Sequence, residues 1–134
     1  MREAEDWFLY NCWYAAAWTS EIDDGKPFSR TLLEKPIVIY KNESGVYVAL
    51  DNRCCHRSAP LSMGRIEGDC LRCMYHGMKY DPSGQCVEIP GQAKISSNHR
   101  VHSYPLVDRG GMLWIWMGEA DKANSDHIPH FEPL

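Results

Sequence analysis

Cys54-Cys55-His56 opens a stretch that closes, sixteen residues later, with Cys73-Met74-Tyr75-His76. Each short arm offers one thiolate and one imidazole, as C-x-H and then C-x2-H. Thiolates favour iron–sulfur clusters, Zn and Cu(I), whereas imidazole suits Zn, Cu and Fe. Two of each can hold a single tetrahedral Zn. They can equally hold a [2Fe–2S] cluster in which two His replace two Cys on one iron.

The residues around the arms bear on that choice. Zinc modules usually present a Cys pair and then a His pair, each from one turn. Here every arm mixes the two ligand types, so two arms can give one iron its two Cys and the other its two His. Small and turn-forming residues follow both arms, Ser58-Ala59-Pro60 after the first and Gly77 after the second. Such residues let backbone N–H groups approach a charged cluster closely. Spacing alone favours iron–sulfur over zinc and leaves both open.

A longer pattern carries a resemblance. Cys54-Cys55-His56-Arg57-Ser58-Ala59-Pro60-Leu61-Ser62-Met63-Gly64, then Leu71-Arg72-Cys73-Met74-Tyr75-His76-Gly77, then Tyr80-Asp81-Pro82-Ser83-Gly84-Gln85-Cys86, resembles the Rieske domain of aromatic-ring-hydroxylating oxygenases. The likeness is greatest to the vanillate O-demethylase and dicamba monooxygenase branch. It extends through Trp13-Tyr14-Ala15-Ala16-Ala17-Trp18, Arg30-Thr31-Leu32-Leu33, Val107-Asp108-Arg109 and Leu113-Trp114-Ile115-Trp116, and so covers almost the whole chain.

The resemblance implies an all-β fold, a Rieske-type antiparallel β-sandwich with a small cluster-binding subdomain of two loops, 54–60 and 73–80. It implies a Rieske domain over 1–120 and a linker-like tail over 121–134, leading toward a catalytic domain that this chain lacks. Cys54 and Cys73 would hold one iron of a [2Fe–2S] cluster, and His56 and His76 the other. The task implied is one-electron relay from a reductase or ferredoxin to a mononuclear non-haem iron on an adjacent subunit of a trimeric oxygenase. The substrate of that oxygenase would be aromatic; nothing in these residues binds a substrate recognisably, and no oxygen-activating site is present.

The chain departs from the family at two places. Cys55 and Met74 stand where Pro is common, which returns backbone N–H donors and φ freedom to both loops. Respiratory Rieske proteins place a Ser two residues after the second ligand His and a Tyr two further on, both donating toward sulfur. Met78 and Tyr80 occupy those positions here. Met cannot donate, so one potential-raising bond should be missing. The expected potential is therefore toward the low end of the Rieske range, about −150 mV rather than about +300 mV. The disulfide that links the two loops in respiratory proteins should also be absent, because Cys55 has no counterpart between Cys73 and His76.

Composition sets outer limits. The 134 residues make one domain with room for a core, 44% hydrophobic and 24% charged, as is ordinary for a globular protein. A net charge of −4 argues against nucleic acid or an anionic membrane as partner. The polar, acidic start Met1-Arg2-Glu3-Ala4-Glu5-Asp6 is unlike a secretory signal, and no apolar run approaches the roughly 20 residues of a membrane helix. A cytoplasmic location is expected, where six cysteines signify metal rather than disulfides. Cys12, Cys55, Cys70 and Cys86 are expected to be buried small hydrophobes.

In chain order, the aromatic-rich residues 7–18 are expected to form a strand, and 20–27 a loop broken by Gly25 and Pro27. Short strands are expected over 30–34 and 36–41. Ile37-Val38-Ile39-Tyr40, the turn at Asn42-Glu43-Ser44-Gly45 and Val46-Tyr47-Val48-Ala49-Leu50 make a hairpin that delivers the chain into the first arm. A brief strand over 70–73 leads into the second arm, Asp81-Pro82-Ser83-Gly84 is a turn, and 85–89 is a strand. Two hairpins are thus expected to hold the two ligand loops. His99 and His102 read as ordinary polar positions. Met112-Leu113-Trp114-Ile115-Trp116-Met117, after the Gly110-Gly111 turn, reads as a central buried strand. Asp126, His127 and His130 contain the ingredients of a facial iron triad, but Pro129 interrupts them and they read as solvated tail. Three functional classes follow: the Rieske domain of an oxygenase, a free-standing Rieske ferredoxin, or a structural zinc module.

Overall fold

A computed structural model describes residues 11–54, 59–74 and 77–128. Among them the chain is built from strands and short 3-10 turns: β1 (Cys12–Trp18), β2 (Phe28–Leu32), β3 (Lys35–Lys41), β4 (Tyr47–Asp51), β5 (Arg65–Glu67), β6 (Cys70–Arg72), β7 (Lys79–Tyr80), β8 (Cys86–Glu88), β9 (Ser103–Tyr104), β10 (Leu106–Arg109) and β11 (Met112–Met117). All pairings are antiparallel and fall into three sheets, ordered β1-β11-β10, β2-β3-β4-β9 and β5-β6-β7-β8. The all-β expectation holds. No helix among the described residues is long and apolar enough to cross a membrane.

The run Ile37-Val38-Ile39-Tyr40 explains how three sheets share one molecule. Successive side chains of a strand point to opposite faces. Ile37 and Ile39 enter a core with Ala16, Leu113, Ile115 and Met117 of the first sheet. Val38 and Tyr40 enter a second core with Leu61, Leu71, Met78, Tyr80, Cys54 and Cys73. A strand apolar on both faces is one buried on both faces, and β3 occupies that central position. The second sheet therefore carries the cluster-loop sheet on one side and the β1-β11-β10 sheet on the other. β11 is the middle strand of its own sheet, as expected, and Leu113 to Met117 are buried.

Several local expectations need correction. The two ligand loops are not both hairpin loops. The second lies in the β6–β7 hairpin, whereas the first lies in the crossover from β4 of the second sheet to β5 of the third. The β2–β3 connection is a two-residue turn at Leu33-Glu34, both at positive φ (48° and 65°). Such turns usually announce themselves with Asn-Gly or Asp-Gly, and Leu-Glu gives no such signal. Residues 61–69 hold a 3-10 turn at Leu61–Met63 and the strand β5, neither legible from the sequence. Within 99–104 only Ser103–Tyr104 forms a named strand. Cys86 is buried as expected, but Cys12 and Cys70 are only half-buried, and Cys55 lies outside the described residues.

Residues beyond β11 lie against the first sheet. Trp13 Nε1 donates to the Asn124 carbonyl at 2.8 Å, and Arg109 Nη1 to the Ser125 carbonyl at 3.1 Å. Ile128 is buried, at 1% exposure. His130 and the side chain of His127, raised as candidate iron ligands, lie outside the described residues.

Candidate metal centre

Both ligand loops are closed by the same bond. Cys54 N–H donates to the Ala59 carbonyl at 2.7 Å, and Cys73 N–H donates to the Met78 carbonyl at 2.7 Å. Each is an i to i+5 closure beginning at the cysteine, and each encloses one histidine of the sequence pattern, His56 or His76. Those two histidines lie outside the described residues, with Cys55, Arg57, Ser58 and Tyr75. A second bond braces each loop from outside. Asn52 Nδ2 donates to Ser62 Oγ at 2.9 Å while Ser62 N–H donates to Asn52 Oδ1 at 2.7 Å. Arg72 Nη1 donates to the Gly77 carbonyl at 2.7 Å.

The two cysteines share one buried cluster, each at 1% exposure. Met78 joins the loops: its carbonyl closes the second, and its Sδ lies 3.5 Å from Cys54 Sγ in the first. Tyr80, fully buried, brings its Oη to 3.2 Å from the same sulfur. The loops can approach so closely because residue 64 is glycine. A Cβ there would run into the Arg72 carbonyl of β6, so any other residue would force the first loop's exit off the second loop's entry.

Behind the second loop is a cluster of charges. Glu67 Oε1 and Oε2 receive Arg72 Nη2 at 2.9 Å and Nε at 3.0 Å, a two-pronged pairing, and Oε2 also receives Arg65 Nε at 2.6 Å. Hydrogen bonds from Arg72 and then Arg65 hold the Glu67 carboxyl well below the usual carboxylate range, at about 2. Arg72 Nη1 also reaches Glu88 Oε2 at 2.7 Å, and Lys79 Nζ lies 3.6 Å from Glu67 Oε1. The same hydrogen bonds, from Glu67 first and then Glu88, push Arg72 above its ordinary value.

Two soft sulfur donors in an apolar enclosure, with a phenol directed at one of them, fit an iron–sulfur group and not a hard cation. Sequence reasoning found the cysteines, Met78 and Tyr80. It missed Asn52, Ser62 and Arg72, for which no local pattern exists.

Residues 12–105 match the Rieske [2Fe–2S] domain family. The chain belongs to that family. It is 56% identical over 121 residues to the toluene-4-sulfonate monooxygenase system iron–sulfur subunit of Comamonas testosteroni, covering 90% of this chain and 35% of that protein. Against the oxygenase component of dicamba O-demethylase from Stenotrophomonas maltophilia it is 41% identical over 125 residues, covering 92% and 37%. The crystal structure of dicamba monooxygenase bound to dicamba superposes with a TM-score of 0.88 at 40% identity, covering 92% of this chain and 37% of that one. This Rieske chain thus spans about a third of the length of the relatives it matches. Its cofactor is the Rieske [2Fe–2S] cluster, which sets aside the single-zinc alternative.

Proposed function

We propose that this chain is the electron-relay domain of a non-haem iron oxygenase acting on aromatic compounds. Cys54 and Cys73 would bind one iron of the cluster, and His56 and His76 the other. The cluster, when bound, supplies a one-electron store at moderate potential. The chain's own contribution is to keep that store in a fixed setting. Twin i to i+5 closures hold the loops, Cys54 and Cys73 supply buried sulfur, and Tyr80 Oη lies 3.2 Å from the Cys54 sulfur, to which its O–H would donate once that sulfur is bound as thiolate. Met78, beside the same sulfur, has no proton to give.

The observation that carries this reading is the matched pair of closed loops, each beginning at a buried cysteine. The partners proposed are a reductase or ferredoxin donor and a mononuclear-iron catalytic domain outside these residues, on the same or an adjacent subunit of a trimer. Neither nucleic acid nor a membrane is needed for that role, and a cytoplasmic location suits it. Support for an aromatic substrate comes from relatives named for toluene-4-sulfonate and dicamba. The domain boundary is proposed at 120, with 121–134 leading to the catalytic domain.

The test is an absorption and EPR spectrum of the purified chain before and after dithionite, repeated for His56→Ala and His76→Ala. A red-brown protein whose reduced form gives a rhombic signal, with average g below that of all-Cys clusters, is expected. That signal should be lost in both variants. A colourless, EPR-silent wild type holding one equivalent of zinc would refute the relay role.

A further inference from the structure

Arg72 stands one residue before Cys73 and reaches past the ligand loop to the carbonyl of Gly77, one residue after His76. Its guanidinium thus spans the loop that it precedes. The side chain is only 16% exposed and is itself held from two directions, by Glu67 of β5 and Glu88 of β8. A guanidinium is a planar fork with five donors, which suits it to bind one carboxylate side-on while still serving a carbonyl and a second acid. The first loop has a neutral brace in Asn52 and Ser62; the second has a charged one.

Among the described residues, the ion pairs of this network join three cations, Arg65, Arg72 and Lys79, to two carboxylates, Glu67 and Glu88, while Asp69 and Asp81 act on Cys70 nearby. Adding an electron to a nearby cluster is easier in a positive field, which acts strongly where water is partly excluded.

We propose that Arg72 is a positioning residue of the second ligand loop: it fixes the Gly77 carbonyl and, through its own positive charge, favours the reduced cluster. The inference rests on the cluster-binding role proposed above for this loop. Glu67 locks the guanidinium in place, and Glu88, half-exposed, tempers its charge.

The experiment compares the cluster-loaded full chain with Arg72→Lys, Arg72→Gln, Arg72→Leu and Glu88→Gln. The readouts are the midpoint potential and the rate at which a chelator removes iron. Arg72→Gln and Arg72→Leu lower the midpoint and lose iron about tenfold faster, the scale on which groups supporting metal ligands act. Arg72→Lys keeps the midpoint near that of the wild type but still loses iron faster, because an ammonium lacks the fork. Glu88→Gln raises the midpoint, a change opposite in sign to the Arg72 losses that no purely structural role produces. If the Arg72 variants do not retain cluster, Glu88→Gln decides alone. An unchanged or lowered midpoint in Glu88→Gln overturns the proposal, as does an unchanged midpoint in Arg72→Gln. A wild type with no Rieske signal removes the cluster-binding reading as well, so the two failures are distinguishable.

Discussion

Tyr80 and Met78 decide how electron-rich the Cys54 sulfur becomes. Both are buried against it, at 3.2 Å for Oη and 3.5 Å for Sδ, but only the phenol carries a proton. A hydrogen bond to sulfur withdraws charge and stabilises the reduced centre. Tyr80→Phe keeps the ring and deletes the donor, so the midpoint should fall by roughly 50 mV, which is about 1 kcal/mol for one electron. Redox titration of the cluster-loaded variant checks this, and a midpoint equal to that of the wild type would show that the phenol does not reach the sulfur. The wild type itself is expected near the low bound of about −150 mV.

At the scale of elements, the β5–β8 sheet is small and leans on charge. Glu67, at the end of the β5–β6 pairing opposite Cys70, gathers Arg72, Arg65 and Lys79. Its folded pKa of about 2 lies below the value of about 4.3 for an unfolded chain. A depressed carboxylate adds stability that is present above the unfolded value and is lost as pH falls through the folded one. The thermal midpoint of Glu67→Gln should therefore lie below that of the wild type near about pH 6, with the gap closing between about pH 4.5 and about pH 2. A gap that stays constant over that range would exclude Glu67 as the source. None of this network was legible in the sequence, because Arg65-Ile66-Glu67 is too short to display strand alternation and its partners depend on register.

For the whole molecule, the buried strand β3 unites two cores, and the first sheet also seats the chain beyond β11. Ile128 is as buried as the sheet interior, and Trp13 and Arg109 hold the carbonyls of Asn124, Ser125 and Ile128 itself. Ile128→Ala should cost about 2–4 kcal/mol in chemical denaturation while leaving the cluster spectrum intact, because Ile128 is not in the core that holds Cys54 and Cys73. A midpoint of denaturation equal to that of the wild type would mean that this segment is not part of the cooperative unit.

The sequence by itself determined the fold class and the type of cofactor. Alternating Cys and His in two short arms is a local property, and so are the β-branched run Ile37-Val38-Ile39-Tyr40 and the turn at Asp81-Pro82-Ser83-Gly84, where Gly84 N–H meets the Asp81 carbonyl at 2.9 Å. Tyr80 was legible as a donor toward sulfur, but not as a partner of Cys54 in the opposite loop. Tertiary structure alone decided that pairing, the closeness at Gly64 and the reach of Arg72 to Glu67, Glu88 and Gly77. Each depends on how separate strands are registered, and register is set by packing between sheets, which no short stretch of sequence encodes.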